Sequence, residues 1–144
     1  MGVGSDNSLA SPIVFGCLKI DVLKLHGVNV VADVQNLPFQ NKVFCDAFCF
    51  HVLEHLPNPA KALAELVRVA CRSVEVEVPH FYGRMAKSQS WKKGDVAQYH
   101  LSSFHCSWFQ KCLKNFRYCI KVFYEFPRDL HIHVWIYLTE KAYT

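Results

Sequence analysis

The chain predicts a single α/β domain spanning residues 1–144, built on an open, mostly parallel sheet that lacks helices on one face and ends in an antiparallel hairpin. Three observations predict it. Between residues 28 and 69 one apolar run ends at Asp33, a second ends at His51, and a helix-period stretch follows Asn58-Pro59, which is the strand, loop, strand, helix order of a parallel unit. Only Val22 to Gly27 separate the strand ending at Asp21 from the one opening at Val28. A parallel crossover with a helix needs about a dozen residues or more, so no helix fits there. Finally, the β-rich stretches Arg117 to Phe126 and His131 to Glu140 are joined through Pro127-Arg128-Asp129-Leu130, a turn so short that the two must run antiparallel.

Composition sets the outer bounds. At 144 residues and 51% apolar content the chain is long enough for one domain with a sizeable core. A formal charge of +4 without a dense basic run favours an anionic partner only slightly, so nucleic acid is possible and not implied. Seven cysteines lie scattered in apolar segments without a Cys-x-x-Cys pair. They read as buried thiols in a reducing compartment rather than a disulfide framework or a zinc site. The amino terminus has no basic-then-apolar leader pattern, and no apolar run approaches the ~18 residues of a membrane span. The expectation is cytoplasmic, with no membrane partner.

Taken in order, Gly2, Gly4 and Asn7 lie in a Gly/Ser-rich start, and the broken apolar run Ile13 to Ile20 predicts a strand over Gly16 to Ile20 that ends at Asp21. Val28 to Ala32 forms the next strand and Leu37-Pro38-Phe39 turns the chain. Val43 to Phe50 is apolar almost throughout, as a sheet strand buried on both sides demands. Pro59 suits the first turn of a helix, where its missing N–H costs nothing. In that helix Ala60, Leu63, Leu66, Val67 and Ala70 would form the apolar stripe, with Lys61, Glu65, Arg68 and Arg72 outward and Lys61 and Glu65 a surface pair. Ser73 to His80 alternates, valines on one face and Glu75 and Glu77 on the other. That implies a wet face, a salt-bridged interface or an active-site acid. Phe81 to Leu101 mixes aromatic and basic side chains around Trp91-Lys92-Lys93, which suits a planar or phosphorylated substrate, single-stranded nucleic acid, or a solvated loop. Ser102 or Ser103 can cap a helix to about Asn115, with Phe104, Trp108, Phe109, Cys112 and Leu113 inward. The apolar face left without helices should seek a second copy of the chain, so a homodimer is expected.

The ordered set Asp33-x-x-x-Leu37-Pro38-Phe39, His51-Val52-Leu53-Glu54-His55-Leu56, Asn58-Pro59 and Glu65-Leu66-Val67-Arg68-Val69 resembles the class I S-adenosylmethionine-dependent methyltransferases over Asp21 to Val69. The resemblance implies a minimal Rossmann-like sheet and a methyl transfer from S-adenosyl-L-methionine to an unidentified acceptor. Within it, Gly2, Gly4 and Asn7 would cradle the methionine end, with Asp6 where a third glycine is often found. Asp21 and Val22 would hold the ribose, Asp33 and Val34 the adenine, and Phe50 and His51 would flank the reacting methyl. Cys45 stands where the family has an acid, so that either the register slips toward Asp46 or the acid's role is lost.

His51, His55 and His100 are the candidates for taking a proton from the acceptor, with His80 and Tyr99 also on the substrate side. The first two could equally cap and orient the turn around Glu54. His51 and His55 also share metal-ligand spacing, but no third ligand follows at a recognisable distance; His131 and His133 share a strand face, where two-ligand metal binding is conceivable but surface histidines are commoner, so no metal is expected. A noncatalytic dimeric module with this fold, or a nucleic-acid-binding protein, are the alternatives.

Overall fold

The computed structural model describes residues 13–16, 18–82, 100–125 and 129–139. Gly2, Gly4, Asn7, Tyr99 and the Trp91-Lys92-Lys93 stretch lie outside them.

The strands are β1 (Ile13–Phe15), β2 (Leu18–Asp21), β3 (Val30–Val31), β4 (Phe44–Phe50), β5 (Ala70–Pro79), β6 (Arg117–Glu125) and β7 (Asp129–Tyr137). Two short 3-10 turns, Val34–Asn36 and Leu53–His55, and two helices, α1 (Pro59–Val69) and α2 (Cys106–Cys112), complete the described elements. The strands form one seven-stranded sheet in the order β3-β2-β1-β4-β5-β7-β6. β2 pairs parallel with β3 and β4 with β5, whereas β7 pairs antiparallel with both β5 and β6. The expected α/β class and terminal hairpin are therefore present.

The strand expected over Gly16 to Ile20 is present as β2, and the residues before it add a further strand: Ile13–Phe15 folds back as a hairpin, with Ile13 opposite Ile20 and Phe15 opposite Leu18. Gly16 makes the reversal at φ +59, a conformation that costs a residue without a Cβ nothing. β1 consequently runs antiparallel to β4 as well. β2 to β6 share one direction, and β1 and β7 oppose it.

The two faces of the sheet differ in kind. On one, Ala47, Cys49, Val74, Val76, Val78, Ile132, Val134 and Ile136 are all buried, and they pack with Ala62, Leu63, Leu66 and Val69 of α1 and with Phe109 and Leu113 at α2. On the other face lie Asp46, Phe48, Phe50, Ser73, Glu75, Glu77, His133 and Trp135, all half-buried. No helix among the described residues covers that second face. Val22 to Gly27 contains turns and no helix, as the short spacing requires.

Several local expectations are corrected. The α1 stripe is Ala62, Leu63, Leu66 and Val69, while Ala60 is exposed. Ala60 and Val67 instead line a cleft of about 300 Å³ toward Cys112, Leu113 and Phe116. Arg68 does not point out into water. Its Nε donates to Glu65 Oε1 at 2.7 Å, and its terminal nitrogens reach the Phe39 and Leu37 carbonyls at 2.7 and 3.0 Å. Glu65 also accepts the Leu37 N–H at 2.8 Å, so its partners are Arg68 and the Pro38 turn rather than Lys61 alone. α2 starts at Cys106 with His105 as N-cap, later than Ser102 or Ser103, because Phe104 is held extended in a bridge to His80. Of the six described cysteines, all free, only Cys49 is buried. Thiols at strand edges and helix ends need no core position.

The Cys45 question has a structural answer. Between Phe44 and Asp46 the β4 register against β5 shifts, so that Phe44 faces Ala70 and Asp46 faces Ser73. Asp46 takes the structural role, accepting from Ser73 Oγ at 2.6 Å and from the Arg72 guanidinium. Cys45 is exposed.

Candidate functional site

Strands that share a direction deliver their carboxyl ends to one edge, and in open α/β sheets that edge is where ligands bind. Here the ends of β2, β3, β4 and β5 bring Asp21, Asp33, His51 and His80 to it. β7 runs the other way, so its amino end delivers His131 and His133 to the same place, opposite Pro79 and Glu77.

At the end of β2 Asp21 is half-buried, and its Oδ1 accepts the Leu23 N–H at 2.8 Å. Val22 beside it is 66% exposed, so only its backbone is suited to a ligand. Asp33 N-caps the first 3-10 turn through the Gln35 N–H at 2.8 Å. Both of its oxygens also face the Gln35 side-chain amide at 3.2 Å. Val34 is buried in the core and can offer a ligand no more than backbone.

Past the end of β4 the chain turns sharply. His51 sits at φ +55, which is rare for a residue with a Cβ, and its N–H donates to the Glu77 carbonyl at 2.9 Å. Its ring then lies between two acids, Nε2 at 3.1 Å from Glu77 Oε1 and Nδ1 at 3.5 Å from Glu54 Oε1. Phe50 turns to the helix-free face, with its ring centroid 5.6 Å from that of His133.

Two histidine–carboxylate clusters result. In the first, Glu77 receives His51, His131 Nδ1 at 3.5 Å and His133 Nδ1 at 3.3 Å, and His133 Nε2 reaches Glu75 at 3.3 Å. The alternating acids are thus a salt-bridged face, and His131 is a fully buried residue instead of the surface histidine that strand position alone suggests. The signal was present in the sequence. Glu75 and Glu77 are spaced by two, His131 and His133 likewise, and neighbouring strands place equal spacings side by side.

The second cluster gathers Glu54, His55 and His100. Glu54 is 1% exposed and neither carboxylate oxygen has a hydrogen bond. His55 Nε2 is 4.0 Å from Glu54 Oε1, and the His55 and His100 ring centroids are 4.9 Å apart. The Leu101 and Ser102 N–H groups donate to the Glu54 carbonyl at 2.7 and 3.1 Å, pinning the His100 loop over the turn. Burial pushes the His100 pKa down, the Glu54 charge opposing, so its neutral ring with a lone pair is favoured. His80 is likewise pushed down by burial and by His105. Burial raises the Cys49 thiol far above its ordinary range, which disqualifies it as a nucleophile.

The family model described as a methyltransferase domain matches residues 16–73. No curated protein matches the sequence. Among solved structures, an S-adenosylmethionine-dependent methyltransferase of Thermotoga maritima, described as a possible histamine N-methyltransferase, superposes with a TM-score of 0.61 at 14% identity, over 78% of this chain and 65% of that one. A chain from the Haloferax volcanii complex between a methyltransferase activator and a methyltransferase gives 0.57 at 12% identity, over 81% of this chain and 65% of that one. An S-adenosylmethionine-dependent methyltransferase of Aquifex aeolicus gives 0.52 at 18% identity, over 81% and 66%. The chain therefore spans about two thirds or less of the length of these structures. The family model thus matches less than half of the chain, and these structures share its fold. Among the described residues no helix is long and apolar enough to cross a membrane.

Proposed function

We propose that this edge binds S-adenosyl-L-methionine and transfers its methyl group to an acceptor held near His51, His55 and His100. The observation that carries the reading is the stretch 16–73, matched as a methyltransferase domain, which ends β2 at Asp21 and β4 at the His51 turn on one edge of the sheet.

The residues present fit the nucleoside. Asp21 uses Oδ1 on its own turn, which leaves Oδ2 for ribose hydroxyls, and a carboxylate accepts from two hydroxyls well. Asp33 and the Val34 backbone stand where the adenine would lie. When bound, the cofactor supplies a methyl group on a sulfonium, already activated for in-line displacement. What this chain adds is placement and exclusion of water. Phe50 and His51 border the reacting centre, and neutral His100 is suited to accept a proton from the acceptor. The helix-free face, with Val14, Phe48 and Trp135 half-buried and Val31 exposed, is the surface through which a second copy would pair.

Calorimetric titration with S-adenosylmethionine and with its demethylated product tests the reading, since a methyltransferase binds both. Asp21→Ala should weaken both by about tenfold or more, the worth of a charged hydrogen-bond pair. Unchanged affinity would remove the ribose assignment.

A second reading is favoured by the reversed β1. Because β1 runs antiparallel to β4, the chain passes from β1 to β2 at the edge opposite Asp21, not at the edge where a glycine-rich turn meets the cofactor. In that reading the chain is a noncatalytic, dimeric module of this fold. Absence of binding to either nucleoside would select it.

A further inference from the structure

We propose that Glu54, His55 and His100 form a binding site for a divalent transition-metal ion of the zinc class. The site goes beyond the methyl-transfer reading and does not depend on it.

The argument starts from Glu54. A carboxylate that is 1% exposed and accepts no hydrogen bond on either oxygen has lost its hydration with no donor to replace it. Such a charge is tolerated when a cation meets it. The groups around it are imidazoles, and one of them, His100, has a buried Nδ1 with no hydrogen bond. Neutral imidazole nitrogen and carboxylate oxygen are metal donors, and ligand atoms from Glu54, His55 and His100 all lie within 4.8 Å of one another.

The neighbouring cluster supplies the contrast. His51, Glu77 and His131 meet the same distance criterion. There, however, three imidazole nitrogens approach Glu77 at 3.1 to 3.5 Å. At Glu54 a single nitrogen, His51 Nδ1 of the other cluster, stands at 3.5 Å without a hydrogen bond, and the nearest nitrogen of a proposed ligand, His55 Nε2, is at 4.0 Å. Zinc–ligand bonds of about 2.0–2.2 Å separate tetrahedral neighbours by roughly 3.3 Å. Two nitrogens and one oxygen select zinc-class ions over magnesium or calcium, which prefer oxygen throughout. Three protein ligands leave a fourth position open.

The test is titration of metal-stripped protein with cobalt(II), a zinc substitute whose visible absorption intensifies in low-coordinate nitrogen/oxygen sites, followed by competition with zinc. Expected are one equivalent of cobalt with intense visible bands, displacement by zinc, and no displacement by millimolar magnesium. Glu54→Gln and His100→Gln should each weaken cobalt binding at least about 100-fold, the scale lost when metal coordination is damaged. His131→Gln, in the neighbouring cluster, should change it less than about threefold. Circular dichroism establishes that each variant is folded. His100→Gln, on an exposed-side loop, keeps the test valid if Glu54→Gln does not fold. No visible bands in the wild type, equal displacement by magnesium, or loss of binding in His131→Gln but not in His100→Gln would each overturn the site. Nucleoside calorimetry on the same stripped protein is read separately, so failure of cofactor binding and failure of the metal site are distinguishable.

Discussion

Glu54 and Glu65 lie on either side of the start of α1, and their surroundings are opposite. Glu65 is enclosed by donors: the Arg68 guanidinium takes both oxygens and the Leu37 N–H adds a third bond. Glu54 is more deeply buried and has no hydrogen bond on either oxygen. The first is what a carboxylate looks like when its task is to hold a turn against a helix. The second is a charge kept from water without structural benefit, and such groups concentrate where binding or chemistry needs them.

The comparison is sharpest when each acid is disturbed in turn. The largest effect should come from Arg68→Ala, which strips Glu65 of its bidentate partner and frees the Leu37 and Phe39 carbonyls. A lower urea midpoint at constant slope is expected, as for loss of hydrogen bonds to a charged group. An unchanged midpoint would mean that the clamp is ornamental.

A smaller effect is expected in acid. Hydrogen bonding from Arg68 holds the Glu65 carboxyl below its ordinary 4.5, and Arg72 holds Asp46 below 3.8. A group whose folded pKa is depressed contributes stability that is complete above its unfolded value and is lost as pH falls through the folded value. The gap in stability between the wild type and Arg68→Ala should therefore be constant near neutrality and narrow as pH drops below about 4.5. Denaturant titrations across that window measure it, and a gap independent of pH would detach Glu65 from the effect.

The smallest effect should come from Glu54→Gln in metal-free protein. The change removes a charge and no hydrogen bond, so the urea midpoint should be unchanged or slightly raised. A fall of about 2 kcal/mol would show that Glu54 is structural after all and erase its contrast with Glu65.

Much of this could be read from the chain because it is local. Asn58 caps α1 and Pro59 occupies its first turn, as residue chemistry there demands, and the short link before Asp129 makes the last two strands a hairpin. β2 ends at Asp21 for the same kind of reason. Arg68 was misread because its partners, Leu37 and Phe39, are distant in sequence, and helix periodicity reports only which side faces out. Apolar pattern places the strand over Gly16 to Ile20 and does not reveal the reversal at a single glycine that adds β1 before it.

The sequence by itself determined the class of fold, the helix-poor face and the residue types gathered at strand ends. Only the tertiary structure decided that His131 is buried beside Glu77, that β1 opposes β4, and that Glu54 is enclosed among His51, His55 and His100. The physical reason is range. Periodicity and caps act over a few residues, whereas strand register and loop placement set which distant side chains share one volume, and the chemistry of the edge depends on that volume.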